Sequence, residues 1–153
     1  MEAKTPASSA VIKTEVVFPN DTNPLSILLG GRLVEWMDVA AAVCAQNHAG
    51  RICVTASIDN VSFEHPAKVG DVVFIRAAIT RAFTTSMEII VEAKAKNVFE
   101  AEQKLISTAY FTFVALDENA LASRVPPVAP ETGEERELYN AALERKQSKS
   151  QKD

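Results

Sequence analysis

From residue 30 to about residue 47 the chain carries Leu33, Val34, Trp36, Met37, Val39, Ala40, Ala41, Ala42, Val43 and Cys44, with almost no polar face. Two glycines open the run. Gly50 closes it, because glycine readily takes the left-handed conformation in which helices end. The pattern predicts one long helix, apolar nearly all round, and such a helix must be covered on every side. The longest strictly apolar stretch, residues 39–45, is seven residues, far short of the roughly 18 that a membrane span needs. The helix therefore belongs in a protein core, and the rest of the chain must supply the cover.

That rest reads mostly as strands. Residues 11–18 predict a first strand, followed by the turn cluster Pro19, Asn20, Asp21, Thr22, Asn23 and then Pro24. Beyond the helix, residues 52–61 set Ile52, Val54, Ala56 and Ile58 on one face. A turn with Pro66 and Gly70 leads into a further run over residues 71–83. Residues 87–96 alternate Met87, Ile89, Val91, Ala93 and Ala95 against Glu88, Glu92, Lys94 and Lys96, as a strand with one wet face does. Residues 105–116 are apolar on both faces and predict a central strand. The order is strand, buried helix, four strands. An antiparallel sheet of about five strands covers one side of the helix. A second copy related by a two-fold axis is the simplest cover for the other. The fold class is α+β. At 153 residues, one domain is expected: residues 1–124, with 125–153 as a Pro-rich linker and polar tail. The tail carries a short helix around residues 134–146, on the stripe Leu138, Ala142 and Leu143. The first ten and last seven residues read as loose.

Composition narrows the function. Hydrophobic residues at 47% and charged residues at 24% exclude disordered, collagen-like and coiled-coil chains. A net charge of −4 gives no general grip on nucleic acid. Residues 1–14 lack a basic start followed by an apolar stretch, so no secretory signal is expected. Cys44 and Cys53 lie in apolar segments and read as buried small hydrophobes in a reducing compartment. With only His48 and His65 beside them, no zinc constellation is expected. No Gly-x-Ser-x-Gly elbow, phosphate loop, dinucleotide fingerprint or His-Glu-x-x-His is present.

Asp38 is the residue that stands out. It lies mid-helix between Met37 and Val39, and carboxylates are rarely buried unless paired or functional. The alternative is a structural acid bonded to a neighbouring element. Glu35, nearly one turn earlier, is the competing acid. Gly30 and Gly31 at the helix start leave backbone N–H groups open to a ligand, where the helix dipole favours negative charge. Such donors suit an oxyanion. Gly31 and Asp38 share a helix face but lie about 10 Å apart along the axis. Antiparallel packing of two such helices would instead bring Asp38 of one copy to the 23–31 segment of the other. Asn23 offers an amide to hold a carbonyl or a water, or serves only its turn. Thr84, Thr85 and Ser86, in a predicted hairpin after Arg81, offer three hydroxyls to a phosphate-bearing or pantetheine-like ligand, or form a polar turn.

The run Asp21-Thr22-Asn23, Gly30-Gly31 and Glu35-Trp36-Met37-Asp38-Val39-Ala40 resembles the hotdog-fold acyl-coenzyme A thioesterases, closest to the cytosolic acyl-CoA hydrolase branch. Phe63-Glu64-His65-Pro66 followed by Val69-Gly70-Asp71-Val72-Val73 is similar to that family's Phe-x-x-Pro turn and strand start. Thr84-Thr85-Ser86-Met87 looks like its hairpin tip, and residues 110–115 like its last strand. The likeness covers residues 19–116. It implies a five-stranded antiparallel sheet wrapped around one long central helix, homodimers with a continuous sheet, and trimers of dimers. It implies cytoplasmic hydrolysis of acyl-CoA to a free acid and CoA, with no metal or other cofactor and no nucleic-acid or membrane partner. By the same resemblance Asp38 is general base or nucleophile, and Asn23 and Gly31 assist it. Gly30, Phe63, Thr84, Thr85 and Ser86 go to substrate and CoA binding.

The sequence departs from the family in one segment. Residues 24–29, Pro-Leu-Ser-Ile-Leu-Leu, are more apolar than the family's usual loop. The same segment is similar to the Asp-x-Asn-Pro-Leu-His motif of hotdog enoyl-CoA hydratases, with Ser26 in the histidine position. A hydratase would depend on Asp21. A non-catalytic acyl-CoA-binding module would bind without turnover.

Overall fold

Runs of β-branched and aromatic residues with period-two burial pair into one sheet. The computed structural model describes residues 1–152. Five strands, β1 (Val11–Val16), β2 (Cys53–Phe63), β3 (Val72–Ala82), β4 (Ser86–Lys96) and β5 (Lys104–Ala115), lie in the order β1-β3-β4-β5-β2. Every neighbouring pair is antiparallel. Helix α1 (Pro6–Ser9) precedes the sheet, α2 (Gly30–Ala49) lies on its inner face, and α3 (Gly133–Lys152) follows it. The expected α+β arrangement, a five-stranded sheet around one long helix, is the one observed.

The inner face is built in rows. Ile79, Ile89 and Phe111 form one row across β3, β4 and β5, and Ala77, Val91 and Ala109 the next. All are buried. Against them α2 sets Leu33, Trp36, Met37, Ala40, Ala41, Cys44, Ala45 and His48. That is a stripe at spacings of three and four, the core face of a helix. Gly50 ends α2 with φ +65° and donates its N–H to the Gln46 carbonyl. The opposite stripe of α2 is bare in this chain: Val39 is 47% and Val43 41% exposed.

Four expectations need correction. The outer face of β4 is wet only in its second half: Lys94 is exposed there, whereas Glu88 and Ile90 are 7% and 8% exposed. β5 lies one strand in from the edge, and β4 is the central strand. In β2 the side chains Ile52, Val54, Ala56 and Ile58 do not share a face. The ladder slips at Ala56, so Val54 pairs outward beside Val114 while Ile58 pairs inward beside Phe111. An extra residue in one strand reverses the alternation beyond it. The tail helix is longer than expected and runs through Lys152; Asp153 lies outside the described residues.

The chain's first residues are tied down too. Thr5 caps α1, and the Lys4 backbone exchanges hydrogen bonds with Pro127 and Ala129. Val125 and Val128 are buried in the core. The His48 ring donates from Nε2 to the Pro126 carbonyl at 2.7 Å. Burial lowers the His48 pKa below its ordinary 6.5, with the Pro126 carbonyl working against that shift.

Candidate active site

Because α2 turns its core stripe to the sheet, Asp38 falls at the margin of that stripe and is half-buried. The Thr55 hydroxyl on β2 donates to Asp38 Oδ1 at 2.8 Å. Thr55 is aimed inward because it lies on the near side of the bulge, paired with the buried Phe113. Among the described residues Asp38 Oδ2 takes no hydrogen bond, so one oxygen is oriented and the other is available for a proton. Glu35 is exposed. Sequence reasoning missed Thr55, whose neighbours read as an apolar face; only the bulge reveals its direction.

The start of α2 is open. Leu29, its N-cap, provides no side-chain cap. Among the described residues the N–H groups of Gly30, Gly31 and Arg32 find no acceptor, as first-turn groups do unless a cap or ligand meets them. A side chain at Gly31 would meet nothing within 4 Å, whereas a methyl at Gly30 would stand 3.3 Å from the Phe63 ring. Gly30, Phe63, Ile27, Leu33 and Ile106 line an apolar cavity of about 300 Å³ beside the open N–H groups.

Asn23 holds its own loop. Its Oδ1 accepts from the Leu25 and Ile27 N–H groups at 2.9 and 3.2 Å. That fixes the side chain and leaves its amide NH₂ the group able to donate. Asp21 is 6% exposed, accepts from the Phe18 N–H at 2.9 Å and lies 3.6 Å from Arg32. Both contacts are structural, which leaves the acid of the hydratase reading engaged. Within one chain no hydrogen bond joins Asp38 to Asn23 or Gly31 among the described residues.

Thr84, Thr85 and Ser86 form the β3–β4 turn and line a separate cavity of about 610 Å³, which Arg124 and Lys146 also line. Sequence reasoning missed these two cations, because one comes from the loop after β5 and the other from α3. Cys44 and Cys53 are free, and burial raises each thiol to about 11. Neither is a thiolate at neutral pH. Among the described residues no three His, Cys, Asp or Glu side chains converge as metal ligands, and no helix is long and apolar enough to cross a membrane.

Residues 25–99 match the profile of the thioesterase superfamily. An uncharacterized acyl-CoA thioester hydrolase of Bacillus subtilis is 42% identical over 90% of this chain and 80% of its own length. An acetyl-coenzyme A thioesterase of mouse is 37% identical over 95% of this chain, which spans only 26% of that protein. Among solved structures, a hexameric acyl-CoA thioesterase superposes with TM-score 0.95 at 36% identity, over 99% of this chain and 97% of the other. An acyl-CoA hydrolase of Staphylococcus aureus, solved with butyryl-CoA and CoA, superposes with TM-score 0.92 at 37% identity, over 98% and 92%. That protein was also solved with an asparagine, an aspartate and a threonine each replaced by alanine. The three replaced residues stand in the order and at the separations, fifteen and then seventeen residues, of Asn23, Asp38 and Thr55 here.

Proposed function

The chain belongs to the thioesterase superfamily, on its acyl-CoA thioester hydrolase branch, and on that premise we propose that it cleaves acyl-CoA to a carboxylic acid and CoA at a site shared between two copies. The observation that carries the reading is the Asp38–Thr55 pair. Thr55 holds one carboxylate oxygen, and the other takes a proton from water as that water adds to the thioester carbonyl. The oxyanion forms against the open N–H of Gly31, and Asn23 orients water or substrate through its amide. The carbon–sulfur bond then breaks, and the proton held on Asp38 passes to the CoA thiolate. A direct attack by Asp38, forming an anhydride that water opens, uses the same residues. Both routes need only water, a carboxylate and backbone donors, so CoA enters as part of substrate and product and no further cofactor is assigned. The acyl chain fills the apolar cavity at Gly30 and Phe63.

Assembly follows from surface chemistry. The bare Val39–Val43 stripe and the exposed edge strand β2, with Val54 at 44% and Phe63 at 61% exposure, are faces a monomer rarely leaves open. A second copy with α2 antiparallel covers both and brings the 23–31 segment to the partner's Asp38. A trimer of such dimers is the assembly we assign, in keeping with a hexameric relative. The assigned compartment is the cytoplasm. A human relative named cytosolic acyl coenzyme A thioester hydrolase is 32% identical over 81% of this chain, which spans 33% of that protein.

Thiol release from acyl-CoAs of graded chain length tests the proposal. Asp38→Asn, nearly isosteric, should lower kcat by about 10² to 10⁴-fold with fold and assembly intact. Thr55→Val should cost roughly 10-fold through lost orientation. An assembled Asp38→Asn protein of full activity would remove Asp38 from the chemistry. Wild-type protein that releases no thiol from any acyl-CoA would end the hydrolase reading.

A further inference from the structure

Among the described residues two buried side-chain polar atoms have no hydrogen-bond partner, Ser9 Oγ and His48 Nδ1. Ser9 and His48 are 1% and 0% exposed, so both atoms are sealed from solvent. Helix α1 packs on α2 with Ser9 beside the Cys44 thiol, one turn before His48. Three pieces of chain meet there. The Lys4 ammonium donates to the His48 carbonyl at 2.8 Å. The Lys4 N–H donates to the Pro127 carbonyl at 3.0 Å, and the Lys4 carbonyl accepts from the Ala129 N–H at 2.9 Å. His48 Nε2 donates to the Pro126 carbonyl at 2.7 Å. One lysine and one imidazole thus tie the first ten residues, the end of α2 and the 125–129 segment together.

The tie suits a neutral ring. Nε2 carries the hydrogen that meets the Pro126 carbonyl, which leaves Nδ1 a bare acceptor. A proton on Nδ1 adds a second donor and a full charge where no carboxylate faces the ring. The charged neighbour is the Lys4 ammonium, of the same sign. Helix α2 brings the Cys44 thiol and α1 the Ser9 hydroxyl. Residues 125–129, Val-Pro-Pro-Val-Ala, carry no titratable group, and the sheet side of α2 meets Ile79, Met87 and Phe113. The ion pairs Arg51–Glu118, past the helix end, and Lys13–Glu15, on β1, are closed on themselves. The C-terminal dipole of α2 favours a cation, but Lys4 already fills that place at the His48 carbonyl. We infer that protonation of His48 releases the first ten residues, together with 125–129, from the end of α2. This strap then opens in acid and uncovers Cys44, which is 0% exposed when it is closed, while the sheet stays folded. The device is separate from the chemistry proposed at Asp38.

Labelling of Cys44 by a pyridyl disulfide, which reacts with thiols in acid as well as at neutral pH, tests the strap. The rate is read by peptide mapping and referenced to the urea-unfolded chain at the same pH. It should rise about 10-fold for each pH unit below the ordinary histidine range, one proton per opening, while Cys53 keeps its protection. His48→Gln keeps a donor for the Pro126 carbonyl and takes up no proton, so its Cys44 labelling should not depend on pH. In the wild type, nitrogen NMR of the His48 ring should show the Nε2–H tautomer at neutral pH, and charge appearing in step with the labelling. Labelling of Cys44 and Cys53 that rose together would report unfolding of the whole domain and overturn the strap. So would a His48 ring that takes up its proton while Cys44 stays protected, or pH-dependent labelling that persists in His48→Gln.

Discussion

Helices α2 and α3 are each 20 residues long and lie against opposite faces of one sheet, yet different forces hold them there. α2 buries eight side chains at helical spacing, with Met37, Ala41, Cys44 and Ala45 wholly inaccessible. Among its described side chains α3 buries one, Ala142, and it is otherwise fastened by directed contacts. Arg145 makes a two-pronged bond to Glu88 at 2.7 and 2.9 Å and lies 3.9 Å over the Tyr110 ring. The Arg81 guanidinium lies 3.9 Å over the Tyr139 ring and donates to the Tyr139 carbonyl. Lys149 pairs with Asp59. Burial spreads the stabilisation of α2 over many atoms. The attachment of α3 rests on a few, so it can be undone one contact at a time.

Substitutions can press on that difference. The largest loss is expected at the inner helix: Met37→Ala should lower unfolding stability by about 2 to 5 kcal/mol, seen as a fall in urea midpoint for the whole domain. On the outer face, Arg145→Met leaves the Glu88 carboxylate nearly enclosed, with the Thr80 hydroxyl at 2.7 Å as its remaining side-chain partner. A loss of about 3 kcal/mol is expected, with faster proteolysis confined to α3. Adding Glu88→Gln should restore most of it, because the charge left unpaired, rather than the missing attraction, is the main cost. If Arg145→Met instead lowered the midpoint as a core deletion does and left α3 resistant to protease, the contrast between the helices would fail.

A pH series probes the end of α2. His48 is buried with its pKa lowered. The unfolded chain therefore takes up a proton near the ordinary 6.5 that the folded chain refuses. Stability from this residue is fully present above 6.5 and drains away as pH falls from there toward the lowered folded value, by at most about 1.4 kcal/mol per pH unit. Denaturant midpoints between pH 8 and pH 5 should show the fall, and His48→Gln should flatten it. The smallest effect is expected from Tyr139→Leu, about 1 kcal/mol through the lost cation–π contact, read by thermal unfolding.

What was legible in the sequence follows the same division. α2 was visible to within two residues at its C-terminal end, because a continuous apolar run between glycines has few alternatives. β4 and its inner residues were visible from alternation. The covering of its outer face was not, since Glu88 and Arg145 lie 57 residues apart and nothing local marks them as partners. α3 was read short because beyond its stripe of Leu138, Ala142 and Leu143 the residues from 147 on are all polar and look like solvent-facing tail. In the site, Asp38 was conspicuous as a charge in an apolar run, and Gly30 and Gly31 as a helix start open to a ligand; the approach of Gly30 to Phe63 shows only in the structure. Thr55 was hidden by the bulge at Ala56. The cations at the β3–β4 turn were hidden by distance along the chain.

The hydrogen bond from Thr55 to Asp38 joins that carboxylate to an edge strand. A second chain laid along that edge would restrain the strand, and through Thr55 the rotamer of Asp38. On the proposed shared site, the carboxylate would then sense whether its neighbour is present. A newly made or highly dilute chain would hold its acid loosely and turn over slowly. On the proposed hydrolysis, turnover per chain would rise as the chains found one another.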